Sequence, residues 1–593
     1  MKLFQRLSAL VLLLCGCTVQ AGPNVLFVIV DDLRTELPIY GQNHIEAPNI
    51  DRLAREGVVF TNAYANVPVC GASRASLMTG LRPTRARFVG YDARADVDAP
   101  GVTPLHGFLK SQGYHTESMG KVLHDRDDSE DGWSVPPWSA QEGVPKDRAT
   151  GFRNYQDPAN IAAFRKNGVG PATEAVDVPD NAYFDGQTAD RAVAALERLA
   201  KTEQPFFLAV GFVKPHLPFT APRKYWDLYD HDAIELARVK SMPEGVPDAA
   251  RHSFGELRRY TDVPDDPLET VGDELARKLR HGYYASVSYA DAQVGRVLDK
   301  LRALGLDDST IVVLIGDHGW SLGDHGLWAK HSTFDVATRT VAVMRAPGFD
   351  STGTAQGLVE LVDIYPTLLE LLDVEPPGHL QGQSFVPLLA DIAAPGKEAV
   401  FPRWKNADVV KTERYALTTW FDRQGRSIAE MMFDHEIDRD EIENVAPKGK
   451  LSLTKQALRA LLEDLGREER SGGRLVHLGT LDLSVVVIYA VVLLVLAQWV
   501  SREKAGHQKN SSDYFLAGRA LPWWAIGASL IAANISAEQI IGMSGSAWVM
   551  GIAIGAYEWM AALTLVIVAK WLLPVFLKHK IYTMPQFLEQ RYD

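Results

Sequence analysis

The sequence predicts an α/β protein built on a mainly parallel sheet between helices, followed by a segment that enters a membrane. Three observations carry this expectation. Over residues 22–466, short apolar runs rich in Val, Ile and Phe alternate with helical stretches, the order that gives a parallel sheet covered on both faces. Each of those runs is followed at once by carboxylate, ammonium or imidazole side chains. Residues 481–577 then turn largely apolar.

The strand-like runs are "NVLFVIV" (24–30), "YHTESMG" (114–120), "PFFLAVGFV" (205–213) and "TIVVLIG" (310–316), separated by helical patterns such as 182–200 and 278–304. Around 401–445 the strands become shorter and more polar, and a helix is expected over 452–465. That reads as a small appended α+β subdomain. A chain of 593 residues is too long for one core. The expected division is a leader over 1–21, a main domain over 22–395, a subdomain over 396–466, a charged, Gly-bearing linker over 467–480 and a membrane segment over 481–593. No internal repeats stand out.

Net charge is −13, from 61 Lys and Arg against 74 Asp and Glu, and no basic stripe interleaved with aromatics occurs. Nucleic acid is thereby excluded as an expected partner. The start, "MKLFQRLSALVLLLCGCTVQA", has a basic opening, an apolar run and small residues near its end, the pattern of an export signal. Cleavage after Ala21 is one reading; a lipid on Cys17 of "LCGC" is the other. Either way the mature chain has too few cysteines for a disulfide framework, and Cys70 stands without a partner to pair with.

The side chains after the strands define one rim, because ligands of an open α/β sheet bind outside the carboxyl ends of its strands. Asp31 and Asp32 follow the first run, Lys121 and His124 the second, Lys214 and His216 the third, and Asp317 and His318 the fourth, with Lys330 further on. Any one of these alone reads as a turn or cap residue; together they point to chemistry. Three carboxylates plus one more ligand suit a hard divalent cation such as Ca²⁺ or Mg²⁺, with His318 the less natural ligand. Zn²⁺ lacks a closely spaced His/Cys set. The lysines can neutralise a phosphate or sulfate group, His124 and His216 can move protons, and a helix starting near Cys70 offers free N–H groups to an anion. Asp324 and His325 read as loop residues that shape the site, His281 as a packed or surface histidine, and Trp328 as either pocket or core.

The stretch "CGASR" (70–74) resembles the sulfatase signature C-x-[PA]-x-R, in which a dedicated maturation enzyme oxidises the cysteine to formylglycine. "VIVDDLR", "APNIDRLAREGVVFTNAYANVPVC", "GKVLH", "VKPHLPF", "GDHGWSLGDHGLWAKHSTFDVATR" and "FDHEIDRDEIENVA" are similar to the iduronate-2-sulfatase branch over residues 22–466. The resemblance implies an alkaline-phosphatase-like sulfatase fold that hydrolyses sulfate esters on a sulfated oligo- or polysaccharide, with a 2-sulfated uronic acid at a chain end as the best single substrate. It implies Ca²⁺ held by Asp31, Asp32, Asp317 and His318. Arg74 and Lys121 would hold the formylglycine hydrate made from Cys70, with His124 beside it, while His216 and Lys330 contact the sulfate and assist the leaving oxygen. Ala72 stands where the commoner signature residue is Pro. The chemical rationale is that a serine-like alcohol would end as a stable sulfate ester, whereas a geminal diol keeps a second hydroxyl that expels sulfate and restores the carbonyl. The rival on the same fold is a phosphatase or phosphodiesterase, which normally shows Ser or Thr at the nucleophile and a zinc-rich ligand set.

At the other end, 481–500 is long enough to cross a bilayer, and further apolar stretches cover 522–548 and 552–577. Basic residues at 502, 504, 509, 519, 578 and 580 would lie in the cytoplasm if the main domain is exported, as the positive-inside rule asks. The middle stretch, "ASLIAANISAEQIIGMSGSAW", carries polar groups at membrane depth. Together with "DYFLAGRALPWW" and "YEWMAALTL" it resembles the N-terminal end of sodium/solute symporters of the sodium–glucose type. That resemblance implies Asn534, Gln539 and Glu558 as sugar-contacting positions. With three spans the tail is expected to anchor an extracytoplasmic enzyme in membrane lipid of the cytoplasmic membrane. A symporter fragment with a substrate-capturing outer domain is the alternative from another class.

Overall fold

The structure, a computed structural model, describes residues 22–146, 149–266, 269–470 and 570. The expected leader, most of the linker and the three apolar stretches lie outside the described residues, as do Asn534, Gln539 and Glu558. Among the described residues, no helix is long and apolar enough to cross a membrane. The chain divides into two compact units, Met1–His477 and Leu478–Asp593.

The first unit is organised around a seven-stranded sheet. Its strands are β1 (Asn24–Val30), β2 (Val58–Phe60), β3 (His115–Gly120), β4 (Phe206–Phe212), β5 (Thr310–Gly316), β6 (Ala342–Arg345) and β7 (Gly353–Ala355), in the order β7-β2-β6-β5-β1-β4-β3. Only β6 runs against its neighbours; every other pair is parallel. The strands centre on β1, where Val28 sits opposite Val210 of β4 and Leu314 of β5.

The unbroken apolar character of these runs follows from burial on both faces. Successive side chains of β1 alternate sides: Leu26, Val28 and Val30 join one core cluster, while Val25, Phe27 and Ile29 join a second. The first cluster is covered by α1 (Pro48–Glu56), α3 (Phe184–Leu199) and α4 (Asp273–Ala303). In α4 the buried positions Leu279, Tyr283, Val287, Ala290, Val294, Val297 and Leu301 recur every three or four residues, the stripe a helix needs to lie on a sheet. Truncating one such residue, as in Leu301→Ala, is expected to cost about 2–5 kcal/mol. On the other face sits α2 (Cys70–Thr79), all ten of whose residues are buried, together with the helix Ile364–Leu371. α2 ends at Gly80, whose left-handed backbone (φ 67°) turns the chain away.

A second, antiparallel sheet consists of β8 (Arg403–Trp404), β9 (Ala407–Lys411), β10 (Tyr415–Phe421) and β11 (Ser427–Asp434), paired in sequence order. Helix α5 (Ser452–Arg470) lays Leu458 on Val410, Leu417 and Met432. Two part-buried contacts tie this subdomain to the short helix Asp335–Thr338: Lys411 pairs with Asp335, and Glu441 accepts the Asp335 N–H at 2.8 Å.

Candidate active site

The rim expected from sequence exists at the carboxyl ends of β1, β3, β4 and β5. Hydrogen bonds that continue the ladder beyond the strands bring it together: Asp31 N–H donates to Phe212 O, and Asp317 N–H to Val30 O. Asp32 follows in a left-handed conformation (φ 56°). Its carbonyl accepts from the Tyr283 hydroxyl of α4 at 2.8 Å, and the same hydroxyl accepts the Arg34 N–H at 2.9 Å. Asp32 N–H donates to Asp317 Oδ1 at 3.0 Å, so the two carboxylate-bearing turns are bonded directly.

Cys70 opens α2, whose N-terminus carries no side-chain cap, and points its sulfur at this rim. Gly71 follows because nothing larger fits: an added Cβ would meet Tyr91 O at 2.0 Å. The thiol is 3.3 Å from His318 Nε2 and 3.8 Å from Asp32 Oδ1. Burial, helped by Asp31, pushes it well above its ordinary value. A thiol held protonated in this way is a poor nucleophile and a poor ligand as it stands.

Arg74, one turn further along α2, is fully buried under the rim. It donates Nε to Asp317 Oδ2 at 2.9 Å and Nη2 to Asp31 Oδ1 at 3.2 Å, and it also binds the carbonyls of Lys121 and Val122. Lys121 Nζ takes the other Asp31 oxygen. Burial alone would raise the Asp31 carboxyl, but Lys121 and Arg74 more than offset it and hold it well below the usual range. Asp317 goes the other way, raised by burial.

Asp31, Asp32 and Asp317 supply the carboxylates that suit a hard divalent cation, but no single cluster among the described residues holds all three together with His318: Asp32 falls in one group, Asp317 and His318 in the other, and Asp31 and Cys70 in both. The ligating atoms of Asp31, Cys70, Asp317 and His318 lie within 4.8 Å of one another, as do those of Asp31, Asp32, Cys70 and His216. His318 Nδ1 faces Gly319 O at 2.9 Å, which turns Nε2 toward Cys70 and the Asp32 and Asp317 carboxylates.

Above the sulfur opens a cleft of about 870 Å³ lined by Cys70, Lys121, His124, His216 and Lys330. Lys330 Nζ donates to Asp32 Oδ1 and Oδ2 at 3.1 and 3.2 Å. Burial, then Lys121, depresses His124 to about 3, and its Nδ1 has no hydrogen-bond partner. Five Lys and Arg line the cleft (Lys121, Arg126, Arg153, Arg259, Lys330) against three acids, Asp125, Glu142 and Glu256. In a chain of net charge −13 this is a local reversal of sign.

Some rim residues do not face the cleft. Lys214 turns its ammonium into its own loop, onto the carbonyls of His216 and Pro218, and burial lowers it to about 8. Asp324 is taken by Arg34 at 2.7 Å, and His325 stacks on Phe334 and bonds Asp440 O, so both shape the loop. Trp328 is core, and His281 packs between Trp226 and His231. Sequence reasoning missed Glu256. It lies in a stretch of short turns, and its carboxylate reaches His216 Nε2 at 3.1 Å and Lys330 Nζ at 3.5 Å.

A buried carboxylate rim under a basic cleft suits the binding of an anionic ester. The chain matches the family described as Sulfatase over residues 23–374, and N-sulphoglucosamine sulphohydrolase, C-terminal, over 323–468. Human iduronate 2-sulfatase is 36% identical over 398 residues, covering 61% of this chain and 71% of that protein. The fold of the phosphonate monoester hydrolase from Silicibacter pomeroyi superposes with a TM-score of 0.62 at 23% identity, covering 77% of this chain and 97% of the other. The chain belongs to the sulfatase family and is a sulfuric ester hydrolase. Residues 514–593 match the sodium:solute symporter family, so two families are fused in one polypeptide. There the sodium/glucose cotransporter of Vibrio parahaemolyticus is 57% identical over 116 residues, which is 20% of this chain and 21% of the cotransporter.

Proposed function

We propose that this sulfatase is exported, tethered to the cytoplasmic membrane by its symporter-like tail, and removes sulfate from sulfated saccharides, with a 2-sulfated uronic acid at a chain end as the best single substrate. The observation that carries the reading is the convergence of a buried, unpaired cysteine, four candidate cation ligands and a basic cleft large enough for sugar units. The family resemblance to iduronate 2-sulfatase supplies the substrate class.

In this reading a maturation enzyme converts Cys70 to formylglycine, whose hydrate supplies an oxygen nucleophile and a second hydroxyl. Asp31, Asp32, Asp317 and His318 would hold a Ca²⁺ ion, which would supply charge to polarise the ester's oxygens. The chain's own residues do the rest. Arg74 and Lys121 fix the carboxylate side of the pocket and face residue 70. His216 and Lys330 contact the sulfate ester and assist the leaving oxygen, Lys330 as a hydrogen-bond donor. His124, held neutral by its surroundings, lines the cleft beside residue 70 and can offer it a ring nitrogen as a hydrogen-bond partner.

The test is sulfate release from a panel of sulfated mono- and disaccharides by purified protein with Ca²⁺ present and residue 70 verified as matured. Release from 2-sulfated uronic acids supports the reading. Matured protein that releases no sulfate from any member overturns it. Membrane tethering is tested separately, by whether truncation after residue 470 frees the enzyme from the membrane fraction.

A further inference from the structure

Glu256 is the one acid of the cleft that touches the residues placed over the sulfate ester. Its Oε1 lies 3.1 Å from His216 Nε2, and its Oε2 lies 3.5 Å from Lys330 Nζ. His216 Nδ1 is already 2.6 Å from Leu217 O, so the nitrogen facing Glu256 is the one left to meet substrate. Lys330, whose other contacts are the two Asp32 oxygens and the face of Trp320, likewise presents its remaining donor there. Glu256 therefore occupies the positions beside His216 Nε2 and Lys330 Nζ that an ester's sulfate oxygens would take. Burial alone would raise the Glu256 carboxyl, but Lys330 and His216 more than offset it and hold it well below the usual range, so the group is charged.

We propose that Glu256 is a specificity-determining residue that sets the charge of the anion accepted between His216 and Lys330, favouring singly charged esters over dianions. This rests on the sulfatase reading of the site. A sulfate monoester carries one negative charge. The sulfate released by its hydrolysis carries two, and a phosphate monoester carries nearly two at neutral pH. Whether Glu256 stays beside the bound anion or yields to it, each added negative charge within a few ångströms of a carboxylate is disfavoured in a partly desolvated cleft. The same residue thus promotes release of product sulfate and discriminates against phosphate monoesters, which matters on a fold shared with a phosphonate monoester hydrolase.

The experiment is calorimetric titration of the full chain at about pH 8.5, where phosphate is almost wholly the dianion, with three probes: inorganic sulfate, inorganic phosphate and methyl sulfate. In Glu256→Gln, which keeps the shape and removes the charge, the Kd of both inorganic dianions is expected to fall about tenfold or more. The Kd of singly charged methyl sulfate should change by less than about threefold. Glu256→Asp should restore the wild-type ratio. Equal shifts for all three probes, or no shift for the dianions in a variant that melts like the wild type, overturn the proposal. The unaltered chain offers a check that needs no variant: it should bind methyl sulfate at least as well as inorganic sulfate, and a strong preference for the dianion overturns the proposal. Binding needs no turnover. A chain that shows this charge selectivity yet releases no sulfate from sugars would sink the sulfatase reading and leave the assignment of Glu256 standing.

Discussion

His318 Nε2 and Cys70 Sγ stand 3.3 Å apart, joining the first residue of α2 to the end of β5 across 248 positions of sequence. The contact puts the sulfur inside the carboxylate cluster rather than beside it. A cation held by those carboxylates would lie beside residue 70. Replacing Cys70 with Ser or Ala should leave the melting temperature near that of the wild type and cut sulfatase kcat at least about 10³-fold, because neither can be converted to an aldehyde by thiol oxidation. Full turnover by the serine variant would favour a phosphatase-like alcohol nucleophile instead.

Asp31, Asp32 and Asp317 crowd three carboxylates into one buried pocket, so a divalent ion should stabilise the fold by binding it. Stripping the protein with a chelator should abolish activity. Adding Ca²⁺ at about a hundred times its Kd should restore activity and add about 2.7 kcal/mol of stability, read as a rise in Tm. Asp317→Asn should lose most of that rise, and a Ca²⁺-induced shift of undiminished size in the variant would contradict the ligand assignment.

Tyr283 acts at a distance from the reacting group. Its hydroxyl serves both Asp32 O and Arg34 N, fixing the turn that carries Asp32. Tyr283→Phe leaves the buried Asp32 carbonyl and the part-buried Arg34 N–H without that partner and is expected to cost about 1–3 kcal/mol. Loss of activity should exceed what the stability loss explains, and Ca²⁺ affinity should fall with it. A variant equal to the wild type in both would remove Tyr283 from the account.

His106 provides a pH signature away from the site. It is buried, stacks on Trp133 with ring centroids 4.1 Å apart, and is depressed to about 4, chiefly by burial. A depressed histidine contributes stability that is present above about pH 6.5 and is lost as pH falls toward 4, by about 3 kcal/mol in all. His106→Phe should therefore lose less stability than the wild type between pH 7 and pH 4. Parallel acid-unfolding curves for the two proteins would contradict this.

Much of the site was legible because parallel strands buried on both faces leave unbroken apolar runs, and the residues at their ends then stand out. β1 and β5 begin and end where the apolar runs do, at 24–30 and 310–316. The pair Cys70 and Arg74 was legible as one turn of helix plus a signature. What stayed hidden was set by tertiary hydrogen bonds. Lys214 follows a strand just as Lys121 does, yet nearby carbonyls turn its ammonium inward. Tyr283 reads as one more residue of a buried helical stripe, and nothing in α4 reveals that its hydroxyl reaches Asp32. Glu256 sits among short turns without periodicity, so only the folded chain brings it to His216.

The most direct measurement is mass spectrometry of the peptide containing residue 70, taken from preparations of differing specific activity. The account predicts an aldehyde or its hydrate at that position, in a fraction that rises in proportion to sulfate released per milligram. Fully active protein whose residue 70 is an intact thiol would contradict it.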